Sequence, residues 1–148
     1  MAKTSTELPP NIKEFSQIAA VIFSELYKSF PVGQNVDLVE VAKVLGVSDI
    51  NSTLPSGRSF NLVFINTLAL LIREAFVHSE GPLPRDRCVL TSKAMTVMGV
   101  VPPQLKQPFA SELSQAIKDD DEGRLATLIG DFFGSFAGSF WKSMAMGG

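Results

Sequence analysis

The chain carries one cysteine, Cys88, and one histidine, His78. A thiol beside an imidazole can yield a thiolate nucleophile, because the base withdraws the proton and the resulting ion pair holds the charge. The alternation of charged and apolar residues around Cys88, however, predicts a buried or edge position in a short strand, where a lone cysteine is inert packing. One cysteine and one histidine are too few for a zinc set of familiar spacing. The acidic run Asp119-Asp120-Asp121-Glu122-Gly123 lacks the alternate ligand spacing of a calcium loop and reads as a solvated helix end or linker. Neither a Gly-x-Ser-x-Gly elbow nor a Gly-x-x-x-x-Gly-Lys phosphate loop occurs. The expectation is a protein that is not an enzyme and holds no metal or cofactor.

A second group of residues could meet phosphate. Arg58, Arg73, Arg85, Arg87 and Lys93 outweigh Glu74, Glu80 and Asp86 in the central region, and Arg58, Arg85, Arg87 and Lys93 are the candidates for nucleic-acid contact. The competing account is a solvated hairpin with ordinary charges, since few phosphate contacts give little affinity at physiological salt. A formal net charge of −2 argues against strong nonspecific attraction to nucleic acid or acidic lipid. That acidic excess lies wholly past residue 118, in Asp119, Asp120, Asp121, Glu122 and Asp131, which only Arg124 and Lys142 offset.

The strongest signal is apolar rather than chemical. On a helical wheel Leu125, Leu128, Ile129, Phe132, Phe133, Phe136 and Phe140 fill one arc of about 160°, with Gly130, Gly134 and Gly138 opposite. A stripe of this size must be covered, since each buried aromatic is worth on the order of 2 kcal/mol. The cover is the chain's own core, a second copy, a partner protein or a membrane surface; these residues are the candidate interface. Spanning a bilayer is disfavoured, because the apolar stretch from Leu125 to Trp141 is 17 residues long and contains Asp131.

The elements that must position these groups follow from periodicity and caps. From Asn11 to Phe30 apolar residues recur at three and four, one face of an amphipathic helix that Pro31 and Gly33 stop. Asp37 caps a helix over Leu38 to Leu45, and Gly46 ends it. A polar loop runs from Val47 to Ser59, and Ser59 caps a long helix over Phe60 to Val77, apolar enough to be buried on several sides. Glu80, Gly81, Pro82 and Pro84 break the pattern ahead of a short strand over Arg85 to Leu90. Thr91 caps a helix from Ser92 to Met98 that Gly99 and Pro102-Pro103 end. A short helix over Phe109 to Lys118, a hinge through the acidic run and a last helix from Arg124 to about Met146 complete the chain.

The order helix, helix, helix, wing, helix, with Cys88-Val-Leu-Thr-Ser-Lys-Ala-Met, resembles a winged helix-turn-helix domain of the bacterial kind. Such proteins often run from a short strand into a Leu-Thr-x-Lys-Gly-like helix start; Leu90, Thr91 and Lys93 stand in that order here, and Ala94 replaces the glycine. Leu38 to Gly46 resembles the first helix of a helix-turn-helix pair. The resemblance covers roughly Ile12 to Val101 and implies a mainly α fold with a winged-helix-like core, a short β-wing and C-terminal amphipathic helices. A DNA-reading member presents polar and basic side chains to the groove, whereas Phe60 to Val77 holds one basic residue, Arg73.

The expected organisation is a flexible N-terminus over residues 1–10, a winged-helix-like domain over 11–103 and a helical extension over 104–148. The first ten residues lack the apolar run of a signal peptide, and a single cysteine permits no internal disulfide, so a cytoplasmic protein is expected. The function expected is interaction or oligomerisation on this scaffold, through self-association or a protein partner. The alternatives are a DNA-binding transcriptional regulator and a protein that associates with membrane surfaces through residues 124–146.

Overall fold

A computed structural model describes the backbone of residues 8–99 and 107–147, and the side chains of 8–99 and 107–134. Among the described residues the chain is mainly helical, with six helices and one small sheet: α1 (Pro10–Ser29), α2 (Leu38–Val44), α3 (Phe60–Arg73), β1 (Val77–Ser79), β2 (Cys88–Leu90), α4 (Ser92–Met98), α5 (Phe109–Lys118) and α6 (Glu122–Gly147).

Helix α1 is the axis of the fold. Its middle, Ile18 to Phe23 and Leu26, is buried on every side, because α2, α3, α5, α6 and β2 all pack on it. Proline at its start costs nothing, since the missing N–H is one that the first turn leaves unpaired anyway. The next helices begin where a side-chain oxygen takes over such orphan amides. Asp37 accepts from Val39 N at 2.8 Å, Ser59 from Leu62 N at 3.2 Å and Thr91 from Ala94 N at 3.2 Å. Gly46 ends α2 at a φ of +75°, a left-handed value that suits a residue without Cβ.

Strands β1 and β2 pair antiparallel with Val77 opposite Leu90, His78 opposite Val89 and Ser79 opposite Cys88. The far edge of β2 takes one more rung: Gln34 N donates to Cys88 O at 2.9 Å and Cys88 N donates to Gln34 O at 2.8 Å. The segment between α1 and α2 is thereby stitched to the strand that precedes α4.

Three expectations are corrected. Helix α3 stops at Arg73 instead of Val77, because Ala75 takes a left-handed φ of +65° and Phe76 N turns back to Leu71 O at 2.9 Å. Val77 then belongs to β1. The strand expected from Arg85 shrinks to Cys88–Leu90, since Arg87 has a φ of +43° and Asp86 N closes a turn onto Leu83 O. Nor is α3 buried on several sides: Leu62 and Ile65 are 48% and 54% exposed.

The acidic run is a capped turn rather than a hinge. Asp119 accepts from Gln115 Nε2 at 3.0 Å, and Asp121 Oδ1 accepts from Arg124 N at 3.1 Å to open α6. Arg124 also forms an ion pair with the buried Glu112 of α5, and Ser24 of α1 hydrogen-bonds Ser114 of α5 at 2.9 Å. Above these contacts the phenylalanines converge. Phe132 lies 4.6 Å from Phe23, 5.1 Å from Phe76, 5.3 Å from Phe133 and 5.9 Å from Phe109, ring centre to ring centre. One side chain of α6 therefore joins α1, the turn after α3 and α5 in a shared core.

Candidate functional site

The candidate interface on α6 divides in two. Leu125, Leu128, Ile129 and Phe132 are buried in the chain's own core, and of these four only Ile129 also lines a surface groove. Phe133 is half-buried and packs, tilted by 41°, with its ring centre 5.6 Å from that of Phe15 of α1. Phe136 and Phe140 lie outside the residues whose side chains are described. The cover that the stripe requires is thus supplied in cis as far as Phe133.

Beside Phe133 the surface changes character. Phe15, Phe76, Ile129 and Phe133 floor an open groove of about 750 Å³ between α1, the end of α3 and α6. Leu8 and Ile12, each 41% exposed, form one lip, and Gly130 contributes a bare stretch of α6 backbone. A Cβ placed on Gly130 or on Gly134 would meet nothing within 4 Å, so this side of α6 is open. The polar rim is small. It consists of Glu74 and of Lys93, whose ammonium donates to Glu74 O at 2.9 Å and sits 4.4 Å above the Phe76 ring.

Phe15 and Leu70 also line a second cleft of about 460 Å³ between α1 and α3, edged by Arg58, Arg73 and Asn66. At its base the buried Glu14 accepts from Ser56 N at 2.9 Å and pins the 51–59 loop to α1. The outward stripe of α3, Leu62, Ile65 and Ala69, continues the apolar surface beyond this cleft. An apolar band therefore crosses α6, α1 and α3.

The four candidate phosphate contacts are not gathered on one element. Arg58 is exposed on the loop before α3, and Lys93 is engaged at the opposite end of that helix. Arg85 and Arg87 are exposed on the wing between β1 and β2, where the Arg87 guanidinium donates to Glu80 O at 2.9 Å. The backbone of both also holds the wing down: Arg85 O accepts from Val36 N, and Arg87 N donates to Asn35 Oδ1.

Cys88 is fully buried and donates its S–H to Pro84 O at 3.0 Å. Burial, and then the nearby Asp86 carboxylate, push the thiol up to about 11, so it stays protonated and weakly nucleophilic at neutral pH. His78 cannot activate it. Directly paired residues share a face of the sheet and successive residues alternate, so Cys88, opposite Ser79, points away from the face that carries His78. Among the described residues no three His, Cys, Asp or Glu side chains gather as a metal site would need. No helix, among those residues, is long and apolar enough to cross a membrane.

The groove had little signature in the sequence. Ile12 sits at the edge of the α1 apolar stripe and Leu8 stands before Pro9-Pro10, so neither is marked as surface. The signal that existed was the surplus of apolar residues all round α3, more than one helix can bury against a single layer. No protein-family model, curated protein or solved structure matches this chain.

Proposed function

We propose that this protein is a cytoplasmic, non-enzymatic docking module on a winged-helix-like scaffold, whose groove between α1, α3 and α6 seats an apolar helical segment. The groove carries the reading. Phe15, Phe76, Ile129 and Phe133 are ordered by the core beneath them, while Leu8 and Ile12 stay exposed, and contiguous apolar surface of this kind marks an interaction site. Two further observations support the scaffold. The order of α1, the Gln34 rung, α2, α3, the β1–β2 hairpin and α4 resembles the order expected of a winged helix-turn-helix domain. In such a scaffold α3 would be the recognition helix, yet its outward residues Leu62, Ile65 and Ala69 match a protein surface better than the base edges of DNA.

A hydrophobic-surface dye tests this on the full chain in dilute solution. Gly130→Arg places a charged side chain in open space at the groove wall, and Ile12→Glu charges the lip. Both variants are expected to keep the wild-type melting temperature and lose most of the dye fluorescence. Unchanged dye binding in both would overturn the docking reading.

A further inference from the structure

Independently of the groove beside α6, we infer that the cleft between α1 and α3 docks an acidic amphipathic helix of a partner protein. The cleft, about 460 Å³, is floored by Phe15, Val63 and Leu70, and Leu62 and Ala69 stand exposed along it. Arg58 sits just ahead of α3 and Arg73 is its last residue, so the two bracket the cleft across roughly 20 Å of helix. Both arginine side chains are exposed, and neither forms an ion pair or a hydrogen bond among the described residues. Glu14 is the one carboxylate among the described lining residues, and it is buried and held by Ser56 N at 2.9 Å. Glu74, next to Arg73 in the chain, lines the other groove instead. What the cleft offers solvent is therefore an apolar strip with a cation at each end.

That pattern selects the occupant. The walls are helices, whose backbone groups pair internally along their length, so an extended peptide finds no ladder to join. A helix brings its own hydrogen bonds and buries one apolar face. Carboxylates near both ends of about four turns of such a helix meet Arg58 and Arg73. These exposed pairs set orientation and specificity, while the apolar strip supplies the affinity. A second copy of this chain docking α3 on α3 would set cation against cation, whether the helices ran parallel or antiparallel. Duplex DNA would pair with the two arginines and leave Leu62 and Ala69 against a charged backbone.

Fluorescence anisotropy on the full chain tests this, with labelled helical peptides of about twenty residues that share a leucine face and differ only in carrying Glu or Lys at both ends. The Glu peptide is expected to bind about tenfold more tightly than the Lys peptide, and Arg58→Glu with Arg73→Glu should reverse that order at a nearly unchanged melting temperature. Leu62→Asp should weaken both peptides about tenfold. Equal affinity for the two peptides, or a preference that the paired arginine substitution leaves in place, would overturn the inference. So would failure of the Glu peptide to bind, whether or not duplex DNA binds in its place. A light-scattering mass that doubles in the wild type and returns to a single chain in Leu62→Asp would give the cleft to a second copy instead and overturn it equally. Ile12 and Gly130 do not line this cleft, so the dye result for the groove and the peptide result here are read separately.

Discussion

The first three turns of α6 and helix α3 read much alike as sequence, both crowded with Leu, Ile and Phe, and their apolar residues meet different fates. Leu125, Ile129 and Phe132 vanish into the core, while Leu62 and Ile65 stay about half exposed. The difference lies in arrangement, not in amount. In α6 the large residues recur at three and four and leave the opposite side to Thr127, Gly130, Asp131 and Gly134, so one packing layer covers them all. In α3 they circle the helix. Phe60, Phe64, Leu68 and Leu71 take the side that faces the core, and no layer remains for Leu62, Ile65 and Ala69. Surplus apolar residues beyond the period mark a surface that something else must cover.

Truncation at matched positions gives the largest contrast. Phe132→Ala removes the ring that Phe23, Phe76, Phe109 and Phe133 surround, and a loss of about 3–5 kcal/mol is expected in denaturant unfolding. Ile65→Ala should stay within about 0.5 kcal/mol of the wild type. Similar losses for the two would break the comparison, because α3 would then be covered in the isolated chain. A smaller effect tests the polar side of the α6 anchorage. Glu112→Gln leaves the Arg124 guanidinium facing a neutral amide; because Arg124 is partly exposed and water can take over, about 1–2 kcal/mol is expected. A melting temperature unchanged by Glu112→Gln would mean that apolar packing alone fixes the start of α6.

What was legible in the sequence was local chemistry. Asp37, Ser59 and Thr91 each cap a helix because a short oxygen-bearing side chain next to a periodic apolar run has few other roles, and the bounds of Ser92–Met98 follow from such a cap. The burial of Cys88 follows from strand alternation in the same way. What was not legible depends on residues far apart in the chain. The Gln34 rung on β2 joins positions more than fifty residues apart, and nothing in either segment announces it. The groove needs Ile12, Phe76 and Gly130 brought together by three elements, so no single window contains it. For the Phe stripe, periodicity fixed which residues share a face, and only the packing of α1 and α5 decided that Leu125 to Phe132 are satisfied within the chain.

The end of α3 concentrates the difference between these two kinds of information. Its apolar run continues through Phe76 and Val77, and no Gly or Asn marks a stop, so periodicity alone extends the helix. The chain turns at Ala75 all the same, because the turn lets Phe76 reach Phe23 and Phe132, and lets Thr91 Oγ1 donate to Ala75 O at 2.7 Å. Alanine at a φ of +65° pays roughly 1 kcal/mol for its Cβ, and the aromatic contacts exceed that cost. Ala75→Gly removes the strain at an exposed position and keeps every backbone hydrogen bond of the turn, although glycine gives back part of the gain through a more flexible unfolded chain. A net gain of about 0.5 kcal/mol is expected, read as a higher midpoint at an unchanged denaturant slope. A loss of stability on Ala75→Gly would mean that the methyl group itself packs, and the turn would then be held by its own residue rather than by the phenylalanines beyond it.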